Sequence, residues 1–197
     1  MRKVVVNEWI TLDGVVQAPG APDEDTTGGF EHGGWHLPYF DHTSRDWVVQ
    51  NLTGAGGFLL GRRTYEGFAS YWPKASEEEQ VLAQPLNTLP KYVASTSLSE
   101  PLDWQNSTLL RGDVAEAVAS LKGEEGGDLL VLGSTRLVAT LQEHDLVDEY
   151  RFMMDPLVLG GGKRAYSQDG VRRPLRLMDH TVTSTGAILA TYAVVEE

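Results

Sequence analysis

Two short apolar runs, each broken by a glycine just ahead of a helical pattern, constrain this chain more than any other feature. Phe58-Leu59-Leu60 runs into Gly61-Arg62-Arg63-Thr64-Tyr65-Glu66, and Leu129-Leu130-Val131-Leu132 runs into Gly133-Ser134-Thr135-Arg136-Leu137. A short unbroken apolar run reads as a strand buried on both faces, the mark of a parallel sheet. The glycine permits a sharp turn or a close approach to a ligand. The helix behind it offers unpaired N–H groups and the positive end of its dipole, which suit phosphate. One such turn is ordinary in an α/β protein. Two of them, one with adjacent arginines and both with hydroxyls, point to a ligand with more than one phosphate, such as a dinucleotide.

The rest of the chain alternates in the same way. Strands are predicted over 3–10, 57–60, 91–95, 128–132 and 149–159, the last interrupted at Pro156. Helices are predicted over 41–52 (N-capped by Asp41 or Thr43), 64–71, 76–83, 113–121 and 134–143. Alternating segments over 175–182 and 188–195, around Ser184-Thr185-Gly186, read as a hairpin at a sheet edge. Strands alternating with helices and finished by an antiparallel pair give an α/β fold with a mixed, mostly parallel sheet. Residues 1–197 read as a single domain without repeat or linker. Residues 15–39 carry glycine, proline and acid with Phe30 and Trp35 interleaved, and a segment so long without periodicity is functional or disordered.

Composition removes several classes of function. With no cysteine there are no disulfides, zinc-thiolate sites or thiol nucleophiles. A net charge of −12, from 16 basic and 28 acidic residues, argues against nucleic acid and acidic membrane as partners. No uncharged run approaches the roughly 20 residues a membrane helix needs, and the polar start is unlike a signal peptide. The chain reads as cytoplasmic. His32, His36 and His42 invite a metal, but Gly33 and Gly34 deny the first two a helix, and no metal is expected. G-x-S-x-G is absent, and Gly162-Lys163 lacks the following hydroxyl of a Walker loop.

Other groups have two readings. Gly160-Gly161-Gly162-Lys163-Arg164-Ala165 fits a dinucleotide fingerprint formally, yet Gly170 and Pro174 leave no room for the helix it must open, so a loop is expected. Its Lys163-Arg164 is either a solvated basic turn or a contact for an anionic substrate. Arg62 and Arg63 stand where the helix dipole disfavours cations, which makes sense if they serve an anion; the other reading is a pair of solvent-facing arginines. Ser95 and Thr96 either cap a turn or touch a ligand. Trp35, Tyr39, Phe40 and Trp47 are core or pocket wall. Asp41 and Asp46 border the first helix, and each is either a surface or capping group or a pocket carboxylate.

Taken together, these landmarks resemble the dihydrofolate-reductase-like superfamily, and most closely the reductase domain at the C-terminus of the bifunctional riboflavin-biosynthesis deaminase/reductase. Thr11-Leu12-Asp13-Gly14 resembles the end of that family's first strand, and Gly61-Arg62-Arg63-Thr64-Tyr65-Glu66 its G-R-x-T-x-E motif. Gly133-Ser134 with Leu137 resembles its second phosphate turn. Leu146-Val147-Asp148-Glu149, Pro156 and Gly160-Gly161-Gly162 resemble its late signature. The resemblance implies a three-layer fold, with helices on both faces of the sheet and NADPH across the strand ends. Arg62 and Thr64 would hold the adenosine-side phosphates, with Gly61, Arg63 and Ser95 beside them. Gly133, Ser134, Thr135 and Arg136 would hold the pyrophosphate, and Asp13-Gly14 would border the nicotinamide. It implies a small pyrimidine- or pteridine-like substrate and a homodimer; no deaminase domain accompanies it. In dihydrofolate reductase itself a carboxylate on the helix before the G-R motif grips the pterin. Counting back from Gly61 makes Asp46 the candidate proton donor or substrate anchor, with Asp41 as alternative. The rival reading is a binding protein that keeps the nucleotide pocket without turnover.

Overall fold

Val4-Val5-Val6 opens the first strand, and all three side chains are completely buried, so both faces of the sheet are covered. The computed structural model describes residues 1–195. Its strands are β1 (Val4–Thr11), β2 (Gly57–Gly61), β3 (Lys91–Ala94), β4 (Ser107–Leu110), β5 (Leu129–Val131), β6 (Glu149–Asp155), β7 (Leu175–Val182) and β8 (Ile188–Val194). They form one eight-stranded sheet in the order β4-β3-β2-β5-β1-β6-β8-β7. Every pairing from β4 to β6 is parallel, and β6-β8-β7 is antiparallel. The helices are α1 (His42–Thr53), α2 (Arg62–Tyr71), α3 (Gln80–Thr88), α4 (Val114–Gly123) and α5 (Thr135–Glu143).

The pleat sorts the core into two layers. Val4, Val6, Leu59, Leu129 and Val131 face Val118 and Leu121 of α4 and Leu137, Val138 and Leu141 of α5. Val5, Phe58, Leu60 and Leu130 face Val48 and Leu52 of α1, Tyr65 of α2 and Leu86 of α3. Each of these fully buried side chains contributes about 2 kcal/mol, which is why apolar runs of three or four residues suffice to place the central strands. Lys91 is buried too; its ammonium donates to the carbonyls of Leu86, Asn87 and Leu89 at 2.8, 3.3 and 2.9 Å. Burial pushes its pKa down to about 8.

The largest departures from the sequence reading are three. β4 was not expected: it is a four-residue edge strand behind a polar segment, too short to show alternation. The helix expected to stop at 83 continues through Pro85 to Thr88, because Ala83, Pro85 and Leu86 are all buried and their packing offsets the backbone bond that proline removes. β6 ends at Asp155, one residue before Pro156 and short of the expected 159.

Residues 15–39 form an ordered loop with a small core of their own, Val15, Ala18, Phe30 and Trp35. The Trp35 indole donates to the Gln17 carbonyl at 2.7 Å, and the Gln17 amide donates to the carbonyls of Asp25 and Thr27 at 2.9 and 3.0 Å. Val15 bridges to Arg164, which docks this loop on the glycine-rich segment.

Candidate functional site

The two glycine turns meet at the carboxyl ends of β2 and β5. The Gly61 N–H donates to the Gly133 carbonyl at 2.9 Å, stitching one turn to the other. A Cβ on Gly61 would lie 2.9 Å from the Ser134 nitrogen, closer than side chains tolerate. Gly133 has φ +97°, and a Cβ there would sit 3.1 Å from Thr64 Oγ1 and 3.8 Å from Glu8 Oε1. Both positions therefore require glycine, and the space held open lies directly before two helices. Neither α2, which starts from Gly61, nor α5, which starts from Ser134, has a side-chain cap on its first N–H groups. Open N–H groups on two adjoining helix ends fit an anion with more than one phosphate.

The other sequence-predicted residues gather around this junction to different degrees. Arg62 pairs with Glu66 at 2.9 Å, both side chains more than two-fifths exposed, so the pair is easily exchanged for a ligand anion. Arg63 lies 3.6 Å from the Asp25 carboxylate and 3.4 Å from the Thr27 hydroxyl, reaching the long loop. Arg136 is exposed and forms no ion pair among the described residues. Ser95 follows β3, the strand beside β2; its hydroxyl oxygen accepts from Ser97 N at 3.1 Å and Leu98 N at 3.0 Å, and it lies 3.5 Å from the Ser97 hydroxyl.

Asp13 and Gly14 follow β1, but the Asp13 carboxylate is already engaged. It accepts from the Thr11 hydroxyl at 2.6 Å and from the N–H groups of Leu159 and Gly160 at 3.2 and 2.9 Å. The Thr11 hydrogen bond leads the causes that hold it below the usual carboxylate range. Asp13 thus anchors the Gly160-Gly161-Gly162 segment, which is a loop as expected. Lys163 pairs with Asp25, and Arg164, still exposed, donates to the Asp13 carbonyl. A cleft of about 480 Å³ opens between this loop and residues 27–32, and one of about 390 Å³ lies between Ile10–Gly14 and the segment from Arg164 to Gln168.

The carboxylates expected on α1 are not gathered at the turns. Asp46 is exposed. Asp41 is the N-cap: Oδ1 accepts from Ser44 N at 2.9 Å, while Oδ2 accepts from Ser184 N and its hydroxyl at 2.9 and 2.6 Å. These bonds, the Ser184 hydroxyl foremost, hold Asp41 far below the usual range. The acids near the strand ends are others. Glu8 of β1 is half-buried, forms no hydrogen bond or ion pair among the described residues, and is pushed up to about 8 by burial, with the charge of Glu24 adding. On the opposite face of the sheet, His36 Nδ1 lies 2.8 Å from Asp155 Oδ2, and the two side chains are 4 % and 0 % exposed. His36 Nε2 and Asp155 Oδ1 have no partner, and burial raises the Asp155 carboxyl. The Trp9 ring lies 4.9 Å from the imidazole. One signal in the sequence marked Glu8, an acid inside an otherwise buried β-branched strand; nothing paired His36 with Asp155, 119 residues apart. No group of three metal-ligating side chains occurs among the described residues.

This arrangement, with the sheet order around it, is the dihydrofolate-reductase-like fold. Dihydrofolate reductase from Enterococcus faecalis, solved with NADP(H), superposes with a TM-score of 0.60 at 15% identity, over 98% of this chain and 97% of that one. A pyrimidine reductase-like protein from Corynebacterium diphtheriae superposes with a TM-score of 0.68 at 12% identity, over 100% and 93%. The uncharacterized protein YyaP of Bacillus subtilis is 26% identical over 193 residues, 97% of this chain and 94% of its own. The profile of the RibD C-terminal domain matches residues 2–189, and the chain belongs to that family.

Proposed function

We propose that this protein is an NADPH-dependent reductase that delivers a hydride to a small heterocycle of the pyrimidine or pteridine type. The observation that carries the reading is the pair of uncapped helix starts joined through Gly61 N–H and the Gly133 carbonyl. Arg62 and Thr64, with Arg63 and Ser95 beside them, bind the adenosine-side phosphates. The N–H groups and hydroxyls of Gly133, Ser134 and Thr135, with Arg136, bind the pyrophosphate, and the Asp13-Gly14 turn borders the nicotinamide end. The bound cofactor supplies the hydride; the chain orients it and excludes water with the loop over 15–39. Asp46, being exposed, and Asp41, being engaged as a cap, are left out of this reading.

A homodimer belongs to the same proposal. β7 is the outer edge strand, and all eight of its residues are exposed, including the apolar Leu175, Leu177, Met178 and Val182, which a second copy would cover. No helix among the described residues is long and apolar enough to cross a membrane. The second reading, nucleotide binding without turnover, is favoured by one observation: Trp9, Trp35 and Phe40 pack around His36.

Calorimetric titration with NADPH and, in parallel, NADH tests the reading. NADPH-selective binding is expected, and Arg62→Ala should weaken NADPH by about tenfold to a hundredfold, the worth of a charge-assisted hydrogen bond, and NADH much less. Equal losses would remove Arg62 from the 2′-phosphate, and no binding to either would end the cofactor assignment. Oxidation of NADPH by any member of a pyrimidine and pteridine panel separates the reductase from the binding protein.

A further inference from the structure

Glu8 stands where an acid is least expected. The pleat of β1 turns Val4, Val6 and Ile10 into the core beneath α5, and the same alternation carries Glu8 to that face, at the end where the Gly133 turn opens the helix. Its Oε1 and the Thr64 hydroxyl border the one space that Gly133 leaves empty. The carboxyl has no hydrogen-bond or ion-pair partner among the described residues. A carboxylate in that position would confront a pyrophosphate with like charge, whereas a carboxylic acid would offer it an O–H donor.

Building on the cofactor reading above, we infer that Glu8 works as an uncharged acid, donating its O–H to the phosphate-bearing part of the dinucleotide, so that the site accepts the cofactor only while Glu8 is protonated. Burial supports this, since it pushes the group up to about 8 and so keeps it mostly protonated at pH 7. Charged groups on the elements around it are Asp23, Glu24, Asp25 and Glu31 of the loop, Arg62, Arg63 and Glu66 of α2, Arg136 and Glu143 of α5, and Glu149, Arg151 and Asp155 of β6, whose Phe152 pairs with Glu8. Of these only Glu24 adds to the upward shift of Glu8. Lys91 titrates in the same range but sits at the amino end of β3, away from the turns.

The experiment is NADPH titration calorimetry from pH 6.5 to 9, on the intact protein and on Glu8→Gln, in two buffers of different ionisation enthalpy. The 2′-phosphate of the cofactor, with a second ionisation near pH 6, is nearly fully charged from pH 7 upward, and the pyrophosphate diester keeps its charge throughout. The wild-type affinity should fall about tenfold between pH 7 and pH 9 as the competent fraction falls, with close to one proton taken up on binding at pH 9. Glu8→Gln, neutral and still a donor, should bind within about threefold of the wild type at pH 7, stay level to pH 9 and take up no proton. Glu24→Gln should move the wild-type midpoint to lower pH, which tests the idea even if Glu8→Gln folds poorly. Tight wild-type binding without pH dependence, or an identical dependence in Glu8→Gln, overturns the role of Glu8 alone. No binding at any pH overturns the cofactor reading and this inference with it.

Discussion

Four of the helices divide into two kinds by how they begin. α1 and α4 start behind Asp41 and Asp113, whose carboxylates accept from the N–H groups of Ser44 at 2.9 Å and Glu116 at 3.0 Å. α2 and α5 start behind Gly61 and Ser134 with no side-chain cap. A cap is worth about 1 kcal/mol, so the second pair forgoes stability that the first pair keeps. The difference teaches where to look for a ligand: the uncapped starts adjoin at the carboxyl ends of β2 and β5, tied by a backbone hydrogen bond, while the capped ones are complete in themselves.

The largest effect should come from closing the space between the uncapped starts. Gly61→Ala would push its methyl against the backbone nitrogen of Ser134, which cannot swing aside. Overpacking of this kind costs about 1–3 kcal/mol, a drop of roughly 3–10 °C in Tm for a chain of this size, and NADPH binding should vanish with it. A tolerated Gly61→Ala that still bound NADPH would show that the turns do not need their close approach. Next come the capped starts. Asp113→Ala should cost about 1 kcal/mol. Asp41→Ala should lower Tm further, because it also frees Ser184 in the β7–β8 turn. Neither change should alter NADPH affinity.

The capped side also has a pH signature. Asp41 is held far below its unfolded pKa by accepted hydrogen bonds. Its contribution is therefore present above an unfolded pKa of about 4 and is lost as pH falls through the lower folded value. Wild type should lose more stability than Asp41→Asn when acidified below about pH 4, as thermal melts at pH 5 and pH 3 would show. Equal losses would mean that the Ser44 and Ser184 bonds do not persist in solution.

The fold was legible where burial repeats with a period. Phe58-Leu59-Leu60 and Leu129-Leu130-Val131 placed the central strands, and the glycine behind each marked a turn where no side chain fits, which is the candidate site. β4 was hidden, since four residues at an edge need not alternate. The acids were harder still. Asp46 was found by counting along a helix, yet a helix turns each residue by about 100°, and it faces solvent; Asp41 is the N-cap that the sequence already allowed. Asp155 and His36 met only through the long loop, whose path depends on aromatic packing and on the Gln17 and Trp35 hydrogen bonds rather than on any local propensity.

The smallest stability effect should fall on Ser134, and it is the sharpest test of the contrast between the helix starts. Its hydroxyl makes no capping bond to α5, so Ser134→Ala should shift stability by less than about 0.5 kcal/mol, in the range of uneventful substitutions. The same change removes a donor from the proposed pyrophosphate contact and should weaken NADPH by roughly tenfold, one hydrogen bond to a charged group. Thermal melting and calorimetry on the one variant decide the matter. A melt lowered as far as that of Asp113→Ala would make Ser134 a cap like the others, and α5 would then have no opening kept for a phosphate.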